Sequence, residues 1–127
     1  MSLIDPIAGA IARMEGYNDS AGNRIERNIA ARNNNPGNLR TWGDRPIIGG
    51  FAYFDTPEEG WAALRRQVEL NINRNLTLYE FFGGGKGYPG YAPAADDNRP
   101  NQYALFVAGE TGLPADVPLL ELVDGYE

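Results

Sequence analysis

Histidine and cysteine are both absent from this chain. Its available acid–base groups are therefore carboxylates, tyrosines and one lysine. Disulfides, thiol nucleophiles, Ser–His pairs and nearly every zinc or haem site are excluded in one step. A metal would have to be held by carboxylates alone, and no EF-hand spacing of Asp and Asn occurs. Reaction classes that run on carboxylates, such as glycosidic cleavage, pass this filter.

Among the carboxylates, Glu15 is singled out by its position. Ile4, Ile7, Ile11 and Met14 recur at helical spacing. At roughly 100° per residue they cover an arc of about 80°, and Glu15 falls about 20° outside it. It also closes the helix at its C-terminal end, where the macrodipole disfavours a negative charge. Partial burial and that dipole both raise a carboxyl pKa, as a general acid requires. The periodicity alone is equally compatible with a marginal Glu whose carboxylate sits in water.

A second constellation is Arg32-Asn33-Asn34-Asn35-Pro36-Gly37-Asn38-Leu39-Arg40. An Asn amide donates and accepts without charge, so a cluster of them suits hydroxyl and acetamido groups. Asn also tolerates left-handed backbone, so the same residues suit tight turns around Pro36-Gly37. Both readings stand on composition. Tyr53, Tyr88, Tyr91 and Tyr103 have the chemistry to stack on sugar rings, or to sit half-buried with a wet tip. Gly83-Gly84-Gly85-Lys86 lacks the preceding strand and the following Ser/Thr of a phosphate loop. Asp96-Asp97-Asn98 reads as a cap for the helix that follows.

The elements that must carry these residues are legible from caps and periodicity. Asp5-Pro6 reads as an N-cap with Pro at the first helical position, and Gly16 as the stop. Residues 17–38 read as loop, with a brief helix near Ile25 and Ile29. Pro46–Phe54 reads as two short strands turning at Gly49-Gly50, with Leu39–Trp42 as a third. Thr56-Pro57-Glu58-Glu59 opens a long helix to about residue 73, with Trp61, Leu64, Val68 and Ile72 on one face. Thr77-Leu78-Tyr79-Glu80 repeats the capping pattern for a short helix. After a Gly/Pro/Tyr/Asp-rich loop over 83–98, a helix spans about 99–111 with Tyr103, Phe106 and Val107 as its stripe. Pro118–Val123 closes the pattern with a short helix. The expectation is one domain over residues 1–127, mostly helical and α+β, with a small hairpin in its first half.

Composition agrees with that size. The chain has 127 residues, 43% hydrophobic, which suffices for a core and is too apolar for disorder. No apolar run approaches the ~18 residues of a membrane span. The N-terminus lacks the basic start of a secretory signal, so the expectation is a protein made in the cytoplasm whose route outward is unknown. The net charge of −6 is uneven. Residues 1–45 hold six arginines against five acids, and residues 46–127 hold five bases against twelve acids. Nucleic acid is not an expected partner, because phosphate binding needs a dense basic face.

Glu15 at a helix end, then RNNNPGNLR, then GFAYFDTPEEGWAALRRQV stand in that order, followed by Tyr91-Ala92-Pro93, Asp97-Asn98 and Tyr103. Over residues 7–122 the chain resembles a family of small lysozyme-like proteins of phages and prophages, described as virion structural proteins or lytic transglycosylases. The resemblance implies a lysozyme-like fold and cleavage of peptidoglycan between N-acetylmuramic acid and N-acetylglucosamine. It places the catalytic carboxyl at Glu15, before the loop and hairpin that wall the cleft. Asn33, Asn35, Asn38, Tyr53 and Tyr91 are then the expected glycan contacts. Asp44 and Asp55 are the candidates for a second carboxylate, and no metal or cofactor is implied. Peptidoglycan strands are the expected partner, with other virion or secretion components beside them. The site of action is the bacterial cell wall or a phage virion. The alternative is a structural or glycan-binding protein that keeps the lysozyme-like fold without its chemistry.

Overall fold

The computed structural model describes residues 2–91 and 99–123. Among them are six helices and one small sheet: α1 (Ile4–Met14), α2 (Ile29–Arg32), β1 (Ile47–Ile48), β2 (Phe51–Ala52), α3 (Pro57–Asn73), α4 (Leu78–Gly83), α5 (Pro100–Thr111) and α6 (Leu119–Val123). The chain is mostly helical, with an antiparallel hairpin in its first half that pairs Ile47 with Ala52 and Ile48 with Phe51. It divides into two compact units, Ala8–Val68 and Met1–Ile7 with Glu69–Glu127.

In the unit Ala8–Val68, α1 buries Ala8, Ala10, Ile11 and Ala12. Ala12, Tyr17, Ala30 and Ala31 form a buried cluster against which Trp61 of α3 packs. The Tyr17 and Trp61 rings meet edge to face at 5.6 Å. Small residues on α1 and α2 leave room for these two large rings. The hairpin turns at Gly49-Gly50 as expected, but Leu39–Trp42 forms no third strand. The Leu39 N–H is already taken by the side-chain oxygen of Asn35 at 3.0 Å. Only its carbonyl remains for the hairpin, and it accepts from the Ala52 N–H at 2.9 Å.

The loop Asn33–Asn38 binds this unit together. Nδ2 of Asn33 donates to the carbonyls of Ile48 (2.9 Å) and Phe51 (3.3 Å). Nδ2 of Asn34 donates to Phe54 O at 2.8 Å, and Phe54 N–H donates to Asn33 O at 2.9 Å. Nδ2 of Asn35 donates to Leu39 O and Ala52 O, both at 2.9 Å. A two-residue hairpin leaves most of its inner carbonyls without a strand partner, and these amides satisfy them. α3 comes in against the same loop through Gly60, where an added Cβ would lie 1.8 Å from the Asn34 carbonyl oxygen.

In the other unit, α1 starts at Ile4, before the expected Asp5 cap, because the Ser2 hydroxyl accepts the Ile4 N–H at 3.1 Å. Pro6 then lies in the first turn, where its missing N–H forfeits no helical bond. α4 opens on the full capping box: Thr77 Oγ1 accepts from Glu80 N–H at 3.1 Å and Glu80 Oε1 from Thr77 N–H at 2.9 Å. Phe81 and Phe82 are buried, and Phe82 stacks on Tyr103 of α5 at 5.0 Å. α5 buries Tyr103, Ala104 and Val107, whereas Phe106 is 36% exposed. Phe106 lies roughly 110° around the helix from the centre of that stripe. Lys86 Nζ donates to Asn75 O at 2.7 Å, and Arg74 lies over the Tyr88 ring at 4.1 Å. Asp96-Asp97-Asn98 and Ala92-Pro93 lie outside the described residues. No helix among the described residues is long and apolar enough to cross a membrane.

Candidate active site

Glu15 is placed by the way α1 ends. Gly16 has φ +79, a left-handed conformation that costs a residue with a Cβ but not glycine. Tyr17 N–H donates to Ala12 O at 2.9 Å and Gly16 N–H to Arg13 O at 3.2 Å. Those two bonds are a Schellman motif, with Glu15 as the last half-helical residue. The Gly16 carbonyl in turn accepts from Asn28 Nδ2 at 2.9 Å. The backbone of Glu15 is thus fixed on both sides by bonds that do not use its side chain.

The carboxyl is partly buried. Desolvation is the largest influence on it and pushes the pKa up from 4.5 to about 7, against the lowering effects of the Asn38 amide and the Arg40 charge. Asn38 Nδ2 donates to Glu15 Oε1 at 3.2 Å and also approaches the Glu15 carbonyl at 3.5 Å. Asn38 holds φ +48, a left-handed conformation that Asn tolerates well. Its Oδ1 is buried without a hydrogen-bond partner. A half-turn of the amide presents that oxygen to a protonated carboxyl, so one side chain can serve Glu15 in both charge states.

Of the expected site residues, Glu15 and Asn38 are brought together. Asn33 and Asn35 are not at the acid: they are 2% and 0% exposed, and their amides are committed to the hairpin and to Leu39. Of the three asparagines expected to contact glycan, Asn38 is the one that reaches the Glu15 carboxyl. The other two go to the hairpin because an uncharged double-ended amide suits orphan backbone groups as well as it suits a sugar. Tyr53 is half-buried just past β2, its N–H donating to Pro46 O at 2.7 Å and its carbonyl accepting from Arg45 Nε at 2.9 Å. Asp55 is exposed and paired with Arg45 at 3.0 Å, and Asp44 is exposed. Tyr91 belongs to the other unit, with its ring 5.9 Å from both Phe81 and Phe82.

Sequence reasoning did not place Arg40 at the site. Its guanidinium lies 5.6 Å over the Phe51 ring, and its charge acts on Glu15. The available signal was its spacing, two residues beyond Asn38. Among the described residues, no group of three or more His, Cys, Asp or Glu side chains could hold a metal ion.

What this arrangement offers chemically is a carboxyl that is substantially protonated near neutral pH, with an amide to orient it. Such a group can give a proton to a leaving oxygen and later take one back. No family model, curated protein or solved structure matches this chain.

Proposed function

We propose that this chain cleaves the β-1,4 bond between N-acetylmuramic acid and N-acetylglucosamine in peptidoglycan, as a muramidase or lytic transglycosylase of lysozyme-like fold. The observation that carries the reading is Glu15: a helix-terminal carboxyl, partly buried, with its pKa raised to about 7. In the first step Glu15 protonates the glycosidic oxygen as the bond to the anomeric carbon breaks and positive charge develops on the sugar ring. In the second step the Glu15 carboxylate takes a proton from the attacking hydroxyl. That hydroxyl belongs to water in a hydrolase, or to C6 of the muramic acid itself in a transglycosylase, which leaves a 1,6-anhydro sugar.

Hydrolysis with a dedicated second carboxylate needs that group within roughly 5–9.5 Å of the acid, depending on stereochemistry. Asp44 and Asp55 are both exposed, and Asp55 is paired with Arg45. This favours a single-acid mechanism over one that employs Asp44 or Asp55. Asn38 orients the acid, Tyr53 remains a proposed glycan contact, and no cofactor is needed. The protein would act at the bacterial cell wall or within a phage virion.

Peptidoglycan incubated with wild-type protein and with Glu15→Gln tests the reading. Soluble muropeptides released by the wild type alone, identified by mass, support it, and a 1,6-anhydro end assigns transglycosylation. Equal inactivity overturns it in favour of a glycan-binding or virion structural role. The net charge of −6 favours that second reading, because an acidic protein is not drawn to an anionic wall.

A further inference from the structure

Leu119 and Leu120 are neighbours with opposite fates. Leu119 is fully buried, with its N–H donating to Leu76 O at 2.9 Å. Leu120 stays 43% exposed, although its N–H donates to Asn75 Oδ1 at 3.0 Å. Leu120 and Val123 of α6 form one wall of a groove of about 340 Å³. Its other walls are Leu3 and Ile4 at the start of α1, and Glu69 and Ile72 near the end of α3. The groove lies wholly within the unit of Met1–Ile7 and Glu69–Glu127. The bonds that fix α6 and the start of α1 come from Asn75, Leu76 and the Ser2 hydroxyl, and use none of the apolar side chains that line the groove. The groove is therefore preformed. Its volume falls at the small end of the ~300–1,000 Å³ of ligand sites, which suits the side chains of a segment rather than the face of a folded domain.

Charge decides which segment fits. Among the described residues, Glu69 is the one charged side chain that lines the groove, and no base lines it. Glu121 is exposed beside Leu120. The unit as a whole carries ten acids against three bases, whereas Ala8–Val68 carries seven acids against eight bases. Two of those three bases are engaged, Lys86 with the Asn75 carbonyl and Arg74 with Asn71 and the Tyr88 ring. Such a field draws cations towards an apolar groove and repels a second copy of this unit or an anionic polymer. We propose that this groove is a docking site for a basic segment of a partner protein. Its apolar side chains enter between the start of α1, the end of α3 and α6, and its flanking lysines or arginines meet the surrounding acids. The proposal is independent of the glycan reading and concerns the unit that does not hold Glu15.

The experiment is methyl-detected NMR and calorimetry on the full chain with a synthetic peptide, the acetylated amide of Lys-Lys-Leu-Leu-Lys-Lys. Shifts are expected in the methyls of Ile4, Ile72, Leu120 and Val123. Replacing both peptide leucines by serine, or all four lysines by glutamate, should each weaken binding about tenfold or more. Leu120→Ser removes a wall and should weaken binding about fivefold or more. Glu121→Lys should weaken it about threefold or more and make it less dependent on salt. Both residues are exposed, and an unchanged thermal midpoint verifies that the variants fold. Unmoved methyls, equal affinity for the serine peptide, or an affinity that Leu120→Ser leaves unchanged overturns the proposal. So does a concentration-dependent shift of the same methyls without peptide, accompanied by sedimentation as a dimer, which assigns the groove to a second copy.

Discussion

The Asn38 amide donates to the Glu15 carboxyl across 3.2 Å, joining a helix end to a loop 23 residues further on. Asn38→Asp replaces that donor with a second carboxyl at nearly the same volume and keeps a residue type that tolerates φ +48. Loss of the donor and gain of a like charge act in one direction, so Glu15 should titrate above its present value of about 7. Carbon-detected NMR titration of the carboxyls checks this, and the pair should titrate in two coupled steps. A Glu15 that titrates lower in the variant would refute the role given to Asn38.

Glu15 should also make the protein less stable as pH rises. Its folded pKa of about 7 lies above the ordinary 4.5, so the folded chain retains a proton that the unfolded chain releases. Its contribution is full below 4.5, falls between 4.5 and 7, and stays at its lower value above that range. Glu15→Gln removes the dependence. At pH 8 the variant should be the more stable by about 2–3 kcal/mol, allowing for the partial exposure of the carboxyl. At pH 4 the two should denature together. Urea titrations at both pH values supply the comparison, and a difference independent of pH would count against the buried-acid description.

The activity proposed for the site carries the same signature. A general acid with a pKa of about 7 is lost by deprotonation, so kcat on peptidoglycan should fall about tenfold per pH unit well above 7. In Asn38→Asp the falling limb should move to higher pH. Rate profiles measured across pH 5–9 would show it.

Asn35 should matter to folding far more than to any ligand. Asn35→Ala removes three buried hydrogen bonds and strands the Leu39 N–H, with an expected loss of about 2–4 kcal/mol. Chemical denaturation measures the loss. A change within about 0.5 kcal/mol would mean that the hairpin does not depend on this amide.

Two glycines provide a matched comparison. Gly60→Ala would drive a methyl into the Asn34 carbonyl at 1.8 Å and should cost more than about 2 kcal/mol. Gly9→Ala, inside α1 with nothing within 4 Å of the new Cβ beyond its own helix backbone and chain neighbours, should stabilise by about 0.5–1 kcal/mol. Thermal melts of the two variants should shift in opposite directions.

The helices were legible because their signals are local. The Thr77 box, the glycine stop after α1 and the apolar face of α3 each depend on a few neighbouring residues. Glu15 was legible for the same reason, from its place on a periodic helix. The fates of Asn33 and Asn35 were not, because they depend on which carbonyls a short hairpin leaves unpaired some fifteen residues later. The missing third strand has the same origin, since Asn35 takes the Leu39 N–H before a strand can. The start of α1 at Ile4 rather than after Asp5 reflects two residues of similar capping ability, Ser2 and Asp5, within three positions of each other. Arg40 was in plain sight, but a sequence does not say which charge lies over which ring.

The Schellman ending of α1 has one more consequence. The bonds that fix the backbone around residue 15 involve Ile11, Ala12, Arg13, Gly16, Tyr17, Asn28 and the Asn38 amide, and none requires a carboxyl. Shape and reactivity at this position are therefore separable by a single codon. A lineage built on this scaffold can lose its acid and remain a sound architectural part, or regain the acid without rebuilding anything around it.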